Sequence, residues 1–305
     1  METKTYKIYG LIVKSDLPLL EVKEAQEAEN IDVTVKCGPI PSHAKKAIKE
    51  GKLAIYLRKE AWFFIKDIGQ YYMDNGNEII VEAFEGADLH SIKSFVLGAA
   101  LGVLLLQRET LILHGSGVVV NNQAWVITGD SGVGKSTLTT KILKEKATFL
   151  ADDTVAIETA DRIYAMPGYP QQKLCKDAAI EMGYDVNQLK KINEDREKYA
   201  VALTDNFYND KMELCLVCEL TVYDGEEVQI EEIQGHEKLQ AFLHNIYMGV
   251  TLKYSGMSPE FFTKCLQVVQ KVPWYRIRRP KNGDTTTEQL KLLTQALHTR
   301  LYKEG

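Results

Sequence analysis

The 305 residues are 45% hydrophobic, 26% charged and 9% aromatic, with a formal net charge of −5. That is globular composition, enough for one large domain or two small ones, and it excludes disordered, collagen-like and low-complexity classes. The acidic balance gives no support for a general nucleic-acid surface, which shows a basic face.

Charges interrupt the apolar positions of the first 20 residues, so no signal-peptide core is present there. The most apolar stretch, 95–106, is 12 residues long. It is too short to span a bilayer and reads as a buried helix. Five cysteines (37, 175, 215, 218 and 265) are too few and too scattered for a disulfide framework. A reducing cytoplasm is the expected compartment, with no membrane partner. Cys215 and Cys218 form a CxxC inside LCLVCEL, which reads as a strand. Their side chains are expected on opposite faces, as plain core cysteines.

Residues 1–88 read as a smaller β-rich N-terminal domain. TYKIYGLIV, IDVTV, KLAIYL, AWFFIKDI, YYMD and EIIVEAF are short β-branched and aromatic runs, with a hairpin turn at Asp74-Asn75-Gly76-Asn77. A helix over His90–Gln107 leads into a second unit, 89–305. There LILHGSGVVV and QAWVITG flank Asn121-Asn122, which suits a two-residue hairpin. TLTTKILKEK is a helix and ATFLADDTVAI a strand, completing a βαβ unit. MPGYPQQK reads as a loop, with short helices expected over 175–182 and 186–192. MELCLVCELTVY and EVQIEEI are strands, Glu237–Tyr247 is helical in spacing, and Ser258-Pro259 opens another helix. WYRIRRP is a short strand, and a capping box at Thr285-x-x-Glu288 opens the last helix.

Gly129-Asp130-Ser131-Gly132-Val133-Gly134-Lys135-Ser136 fits G-x-x-x-x-G-K-[ST], between a strand and a helix, with Thr137 next. Glycines let the backbone wrap a phosphate, whose charge the exposed N–H groups and the helix N-terminus then hold. Lys135 reaches the β- and γ-phosphates, and the Ser136 hydroxyl suits Mg²⁺. Asp152 and Asp153 end the next strand, which runs parallel to the strand before the loop. They therefore sit at the carboxyl edge, beside the loop. One carboxylate suits Mg²⁺. The other is what a kinase needs to orient and deprotonate a hydroxyl. Adjacent strand residues face opposite ways, so one of the two must leave strand geometry or act through water. A two-residue turn at Asn121-Asn122 pairs Val120 with Gln123 and carries His114 to a place opposite Gly129, at the mouth of the loop. His43, His90, His236, His244 and His298 show no metal-ligand spacing and read as structural or solvated.

The block LILHGSGVVV…WVITGDSGVGKST…FLADDTVAI resembles the catalytic core of the HPr kinase/phosphorylase family, over about a sixth of the chain. The resemblance implies an α/β P-loop kinase core of the HPr kinase/phosphoenolpyruvate-carboxykinase type, with a mixed parallel and antiparallel sheet. It implies ATP and Mg²⁺ as cofactors, Asp152 as base toward a serine hydroxyl with His114 supporting it, and Asp153 with Ser136 on the metal side. The family's second signature, E-I-R-G-x-G, is not found after Asp153. Tyr9-Gly10-Leu11, Ser15-Asp16, Leu17-Pro18, PGYPQQKLCKDA and RIRRP are instead similar to HPr-kinase-like proteins that phosphorylate lasso-peptide precursors. The expectation is a serine kinase acting on a peptide or protein, with a homo-oligomer allowed. The alternatives are an HPr kinase/phosphorylase, a small-molecule kinase, or a nucleotide-binding regulator without catalysis. Lys173, Arg196, Lys198, Arg278 and Arg279 are candidate phosphate or substrate contacts.

Overall fold

The computed structural model describes residues 3–19, 21–25, 30–192 and 198–304. The N-terminal part is a seven-stranded mixed sheet. TYKIYGLIV is not one run. Tyr9 and Gly10 take positive φ (53° and 78°) and fold it into the hairpin of β1 (Lys4–Ile8) and β2 (Leu11–Ser15). There follow β3 (Val33–Cys37), α1 (Ser42–Lys49), β4 (Ala54–Tyr56), β5 (Glu60–Ile65), β6 (Gly69–Asp74) and β7 (Glu78–Ala83). The sheet order is β1-β2-β3-β7-β6-β5-β4, and β3 is parallel to both its neighbours. The turn expected after Asp74 joins β6 to β7, with Asn75 and Gly76 at positive φ. On one face, Ala44 and Ile48 of α1 pack against Trp62 and Tyr72.

The other face is covered by one continuous helix, Leu89–Gln107, in which α2 (Leu89–Phe95) and α3 (Leu101–Gln107) flank a π-helical turn at Val96–Ala100. Asp88 caps it by accepting the Ser91 N–H at 2.8 Å. The helix outruns the apolar stretch seen in the sequence. Its 19 residues are long and apolar enough to cross a membrane, yet 67% of that span is buried inside the fold. Ile92, Val96, Leu101 and Leu104 share one core with Phe63, Tyr71 and Met73 of the first sheet and with Ile112 and Ala156 of the second. Gly102 permits the close packing: a Cβ there would lie 2.5 Å from Cε1 of Tyr247.

The second sheet has eight strands. They include β8 (Leu111–Val120), β9 (Gln123–Gly129), β10 (Thr148–Ala151), β11 (Thr154–Thr159) and β12 (Ile163–Ala165), with α4 (Lys135–Lys144) between β9 and β10. Next in the chain comes a separate three-stranded sheet of β13 (Gln171–Cys175), β14 (Lys190–Ile192) and β15 (Lys198–Ala202), packed on α5 (Lys176–Glu181). This corrects two expectations. Gln171–Lys173 is strand rather than loop, and 186–192 is a turn and a strand rather than a helix. The eight-stranded sheet resumes with β16 (Met212–Tyr223), β17 (Gln229–Glu232) and, after α6 (Gly235–His244), α7 (Leu252–Ser255) and α8 (Pro259–Lys271), with β18 (Trp274–Pro280). The last helix is α9 (Thr286–Glu304).

Strands β9, β16 and β18 are parallel neighbours, whereas β8 is antiparallel to β9, so the sheet is mixed as expected. The pairings β8–β9–β16–β12–β11–β8 close into a ring. Helices α6 and α8 cover one face through Phe242, Phe261 and Val268, and α4 and α9 the other through Leu138, Ile142, Leu293 and Leu297. Burial on both faces explains the unbroken apolar run of β9. A register shift between Leu214 and Leu216 interrupts the alternation of β16. Cys215 is therefore half-buried against the same cluster that contains Cys218, not on the opposite face. At the start of α9 the Asp284 Oδ1 accepts from the N–H of Thr286, while the Thr285 hydroxyl accepts from the Gln289 side chain. The expected capping box is replaced by this arrangement.

Candidate active site

β9 ends at Gly129 and α4 begins at Lys135, with the glycine-rich loop between them. Gly129, Gly132 and Gly134 have φ of 130°, 89° and 102°, values that side chains resist. A Cβ on Gly129 would also strike the Leu220 carbonyl of β16. The Lys135 ammonium folds back over the loop and donates to the carbonyls of Gly129 (2.8 Å) and Asp130 (2.9 Å). Burial lowers its pKa. Ser131, Gly132, Gly134, Lys135, Ser136 and Thr137 line a cleft of about 140 Å³. His114, Ser116, Asp152, Asp153, Lys173 and Lys198 line its other walls. Val133 instead packs into the core beneath the loop, and the exposed Asp130 carboxylate lies 2.9 Å from Nε2 of His244.

Strands β10 and β11 lie end to end along one edge of β8, with Ala151 opposite Gly117 and Thr154 opposite His114. The break between them is Asp152-Asp153. Asp153 takes φ 66°, and the Thr154 N–H turns back to the Asp152 carbonyl at 2.8 Å. Asp153 is thus the residue that leaves strand geometry, which lets both carboxylates reach one cleft. Asp tolerates this left-handed region better than most residues.

The two carboxylates have different surroundings. Asp152 accepts from the Ser116 hydroxyl and, at 2.8 Å, from the Lys173 N–H. Burial raises its pKa despite these bonds. Asp153 accepts from the Lys173 ammonium at 3.1 Å and lies 3.8 Å from Nδ1 of His114. Burial opposes its charge, but Lys173, His114 and Lys198 outweigh burial and hold its carboxyl at about 2. His114 is itself pushed down, by burial first and by the Lys135 charge second. The expected contact between His114 and Asp152 is replaced by one between His114 and Asp153.

The β8–β9 ladder has the expected register, from Val120↔Gln123 to Gly115↔Thr128, and stops one pair short of His114. There the chain after α6 takes over the edge. The His114 N–H donates to the Asn245 carbonyl at 2.8 Å, Leu113 bridges to Ile246, and the Tyr247 N–H donates to the Ile112 carbonyl. The Asn245 side chain is buried. Its Oδ1 lies 2.9 Å from the Thr128 hydroxyl, and its Nδ2 donates at 2.8 Å to Glu219, which accepts from Arg276 at 2.7 Å. This polar chain ties α6, β9, β16 and β18 together just below the loop.

Of the five basic candidates, Lys173 and Lys198 line the cleft. Arg278 points away to Glu231 of β17. Arg279 lies on the far side of the loop and donates at 2.7 Å to the Val133 carbonyl. Arg196 lies outside the described residues. The sequence reading missed Ser116, Asn245 and the contact of His244 with Asp130. Ser116 had a signal, being two residues from His114 on the same strand, whereas Asn245 had none. Among the described residues no group of three or more His, Cys, Asp or Glu could hold a metal by itself.

No family model matches the chain, and no curated protein sequence matches it. Among solved structures it is similar to the HPr(Ser) kinase/phosphatase from Coxiella burnetii, at 13% identity and a TM-score of 0.32, covering 64% of this chain and 99% of that one.

Proposed function

We propose that the protein is an ATP- and Mg²⁺-dependent phosphotransferase that acts on a serine hydroxyl. The observation that carries this reading is the convergence of Lys135, Lys173, Asp152 and Asp153 on one cleft at the N-terminus of α4. A regulator that only binds nucleotide has no use for a second buried carboxylate there. The acceptor we assign is a serine of a ribosomal precursor peptide of the lasso type, on the resemblance of the N-terminal segment and of RIRRP.

In this mechanism the loop amides and Lys135 hold the β- and γ-phosphates, and Lys173 neutralises charge that develops during transfer. The acceptor oxygen attacks the γ-phosphorus, the bond to the bridging oxygen breaks, and ADP leaves. Asp152 takes the hydroxyl proton; its raised proton affinity suits a base better than the strongly acidic Asp153. The donor set fits Mg²⁺, which binds one or two carboxylates together with substrate phosphates rather than an all-protein cage. Ser136 and Asp153 would hold it, and it would supply charge neutralisation on the phosphates.

The test is incubation with γ-labelled ATP, Mg²⁺ and serine peptides, with free serine and HPr in parallel. Label on a peptide serine is the expected result. ATP bound without transfer to any acceptor would overturn the kinase reading in favour of a regulator.

A further inference from the structure

The cleft of about 140 Å³ is small for a nucleotide, since small-molecule sites start at roughly 300 Å³. It suits the triphosphate alone. A second cavity of about 480 Å³ adjoins it across the last turn of the loop and shares Gly134 and Thr137 with it. Its remaining walls include Asp177, Arg279, Thr285 and Gln289. Because β9 and β18 run parallel on either side of β16, the segment after β18 comes out at the same sheet edge as the loop.

Two features of this second cavity point to a base. The Arg279 guanidinium is fixed by bonds from Nε to the Val133 carbonyl (2.7 Å) and from Nη1 to the Pro280 carbonyl (2.8 Å), beside Gly134. A guanidinium held in this way offers a flat cationic face on which a purine can stack. Gln289 is 2% exposed; its Nε2 donates to Thr285, and its Oε1 is a buried acceptor with no hydrogen-bond partner among the described residues. Such an acceptor costs stability unless something donates to it.

We infer that the nucleoside of the bound nucleotide occupies this second cavity, with its purine against Arg279 and the carboxamide oxygen of Gln289 accepting from the base. Turning the carboxamide toward the cavity would give that oxygen an N–H donor. Adenine offers this oxygen its C6 amino group, whereas guanine has a carbonyl at C6 and must use its N1–H or N2 amino donors from a shifted position. The arrangement therefore favours ATP over GTP. The inference rests on the nucleotide reading above and adds where the base sits and which base it is.

The test measures equilibrium binding of ATP, GTP and inorganic tripolyphosphate to the full chain with Mg²⁺. The wild-type protein is expected to bind ATP more tightly than either of the others. Thr285→Trp fills the cavity from a half-exposed position and is expected to weaken ATP by about tenfold or more while leaving tripolyphosphate unchanged. Gln289→Leu is expected to narrow the ratio of ATP to GTP affinity, with an unchanged thermal midpoint confirming the fold of each variant. Equal affinity for ATP and tripolyphosphate, equal losses of both in Thr285→Trp, or a preference for GTP would overturn the subsite while leaving the phosphate loop intact. Failure of all three ligands to bind the wild-type protein would instead remove the nucleotide reading itself.

Discussion

Nδ1 of His114 lies 3.8 Å from the Asp153 carboxylate and 3.1 Å from the Asp153 carbonyl, so this histidine answers to Asp153 and not to its neighbour Asp152. The cause is the left-handed turn at Asp153, which swings its side chain toward β8. Asp152, outside that left-handed region, instead accepts from Ser116 and the Lys173 N–H. The acidic pair is therefore divided into a charged member, surrounded by cations, and a member whose charge burial disfavours.

Asp152→Asn is expected to reduce phosphoryl transfer by about 100- to 10,000-fold, the usual effect of removing a general base, with nucleotide binding little changed. Asp153→Asn is expected to raise the Mg²⁺ concentration needed for half-activity. Transfer rates across a metal titration check both. A shift in metal response with Asp152→Asn and none with Asp153→Asn would reverse the assignment. His114→Ala should couple to Asp153→Asn, with a double-mutant interaction energy on the order of 0.5–3 kcal/mol, and be additive with Asp152→Asn.

Lys135→Ala is expected to lower turnover by at least about 100-fold, as for other preorganised charges at developing negative charge. Among the described residues its ammonium bonds only to carbonyls of the loop, so circular dichroism and the thermal midpoint should be close to wild type. A variant with near wild-type turnover would show that the loop is not the catalytic nucleotide site.

The acidic pair also makes opposite contributions to stability across acid pH. The folded-state pKa of Asp153 is depressed to about 2, so its stabilisation is complete above its unfolded value near 4 and is lost as pH falls toward 2. The raised pKa of Asp152 works the other way, since the folded state binds its proton more readily than the unfolded chain. Asp153→Asn is therefore expected to destabilise the protein at pH 7, with the deficit shrinking as pH falls below 4. Asp152→Asn is expected to be neutral or stabilising at pH 7. Urea unfolding at pH 7 and pH 3 measures both differences, and a pH-independent deficit in Asp153→Asn would contradict the electrostatic account.

Asn245→Ala leaves Glu219 without one donor and Thr128 without one partner beneath the loop. A loss of about 1–3 kcal/mol is expected from the buried groups left unpaired. Nucleotide affinity should fall with it, because Thr128 immediately precedes Gly129. Chemical denaturation and ATP binding check the two effects separately. Loss of stability with unchanged affinity would confine Asn245 to the core.

Much of this was legible because it depends on local chemistry. Asn121 and Asn122, both at positive φ, set the β8–β9 register, and the glycine spacing set the loop. Trp274–Pro280 and Met212–Tyr223 stand out as β-rich runs between turn signals. What escaped depends on tertiary geometry. No periodicity marks Asp153 as left-handed, because the residue type permits the turn without requiring it. Asn245 looked like the continuation of an amphipathic helix, yet its segment leaves α6 to fill the edge of β8 that β9 vacates. β14 (KKI) and β15 (KYAVA) are only three and five residues long, too short to carry a recognisable apolar period.

The helix Leu89–Gln107 also constrains how the chain is made. When the first 107 residues have left the ribosome, the N-terminal sheet can shield only one flank of that helix, and the flank that meets Ile112 and Ala156 stays bare until the second sheet is synthesised. Neither half is expected to be a self-sufficient unit of expression. A fragment starting at residue 89 would display a 19-residue apolar helix to the cell with no sheet over its N-terminal-facing side. Such a fragment is expected in the aggregate or membrane fraction of a lysate, and restoring residues 1–88 in trans should return it to the supernatant.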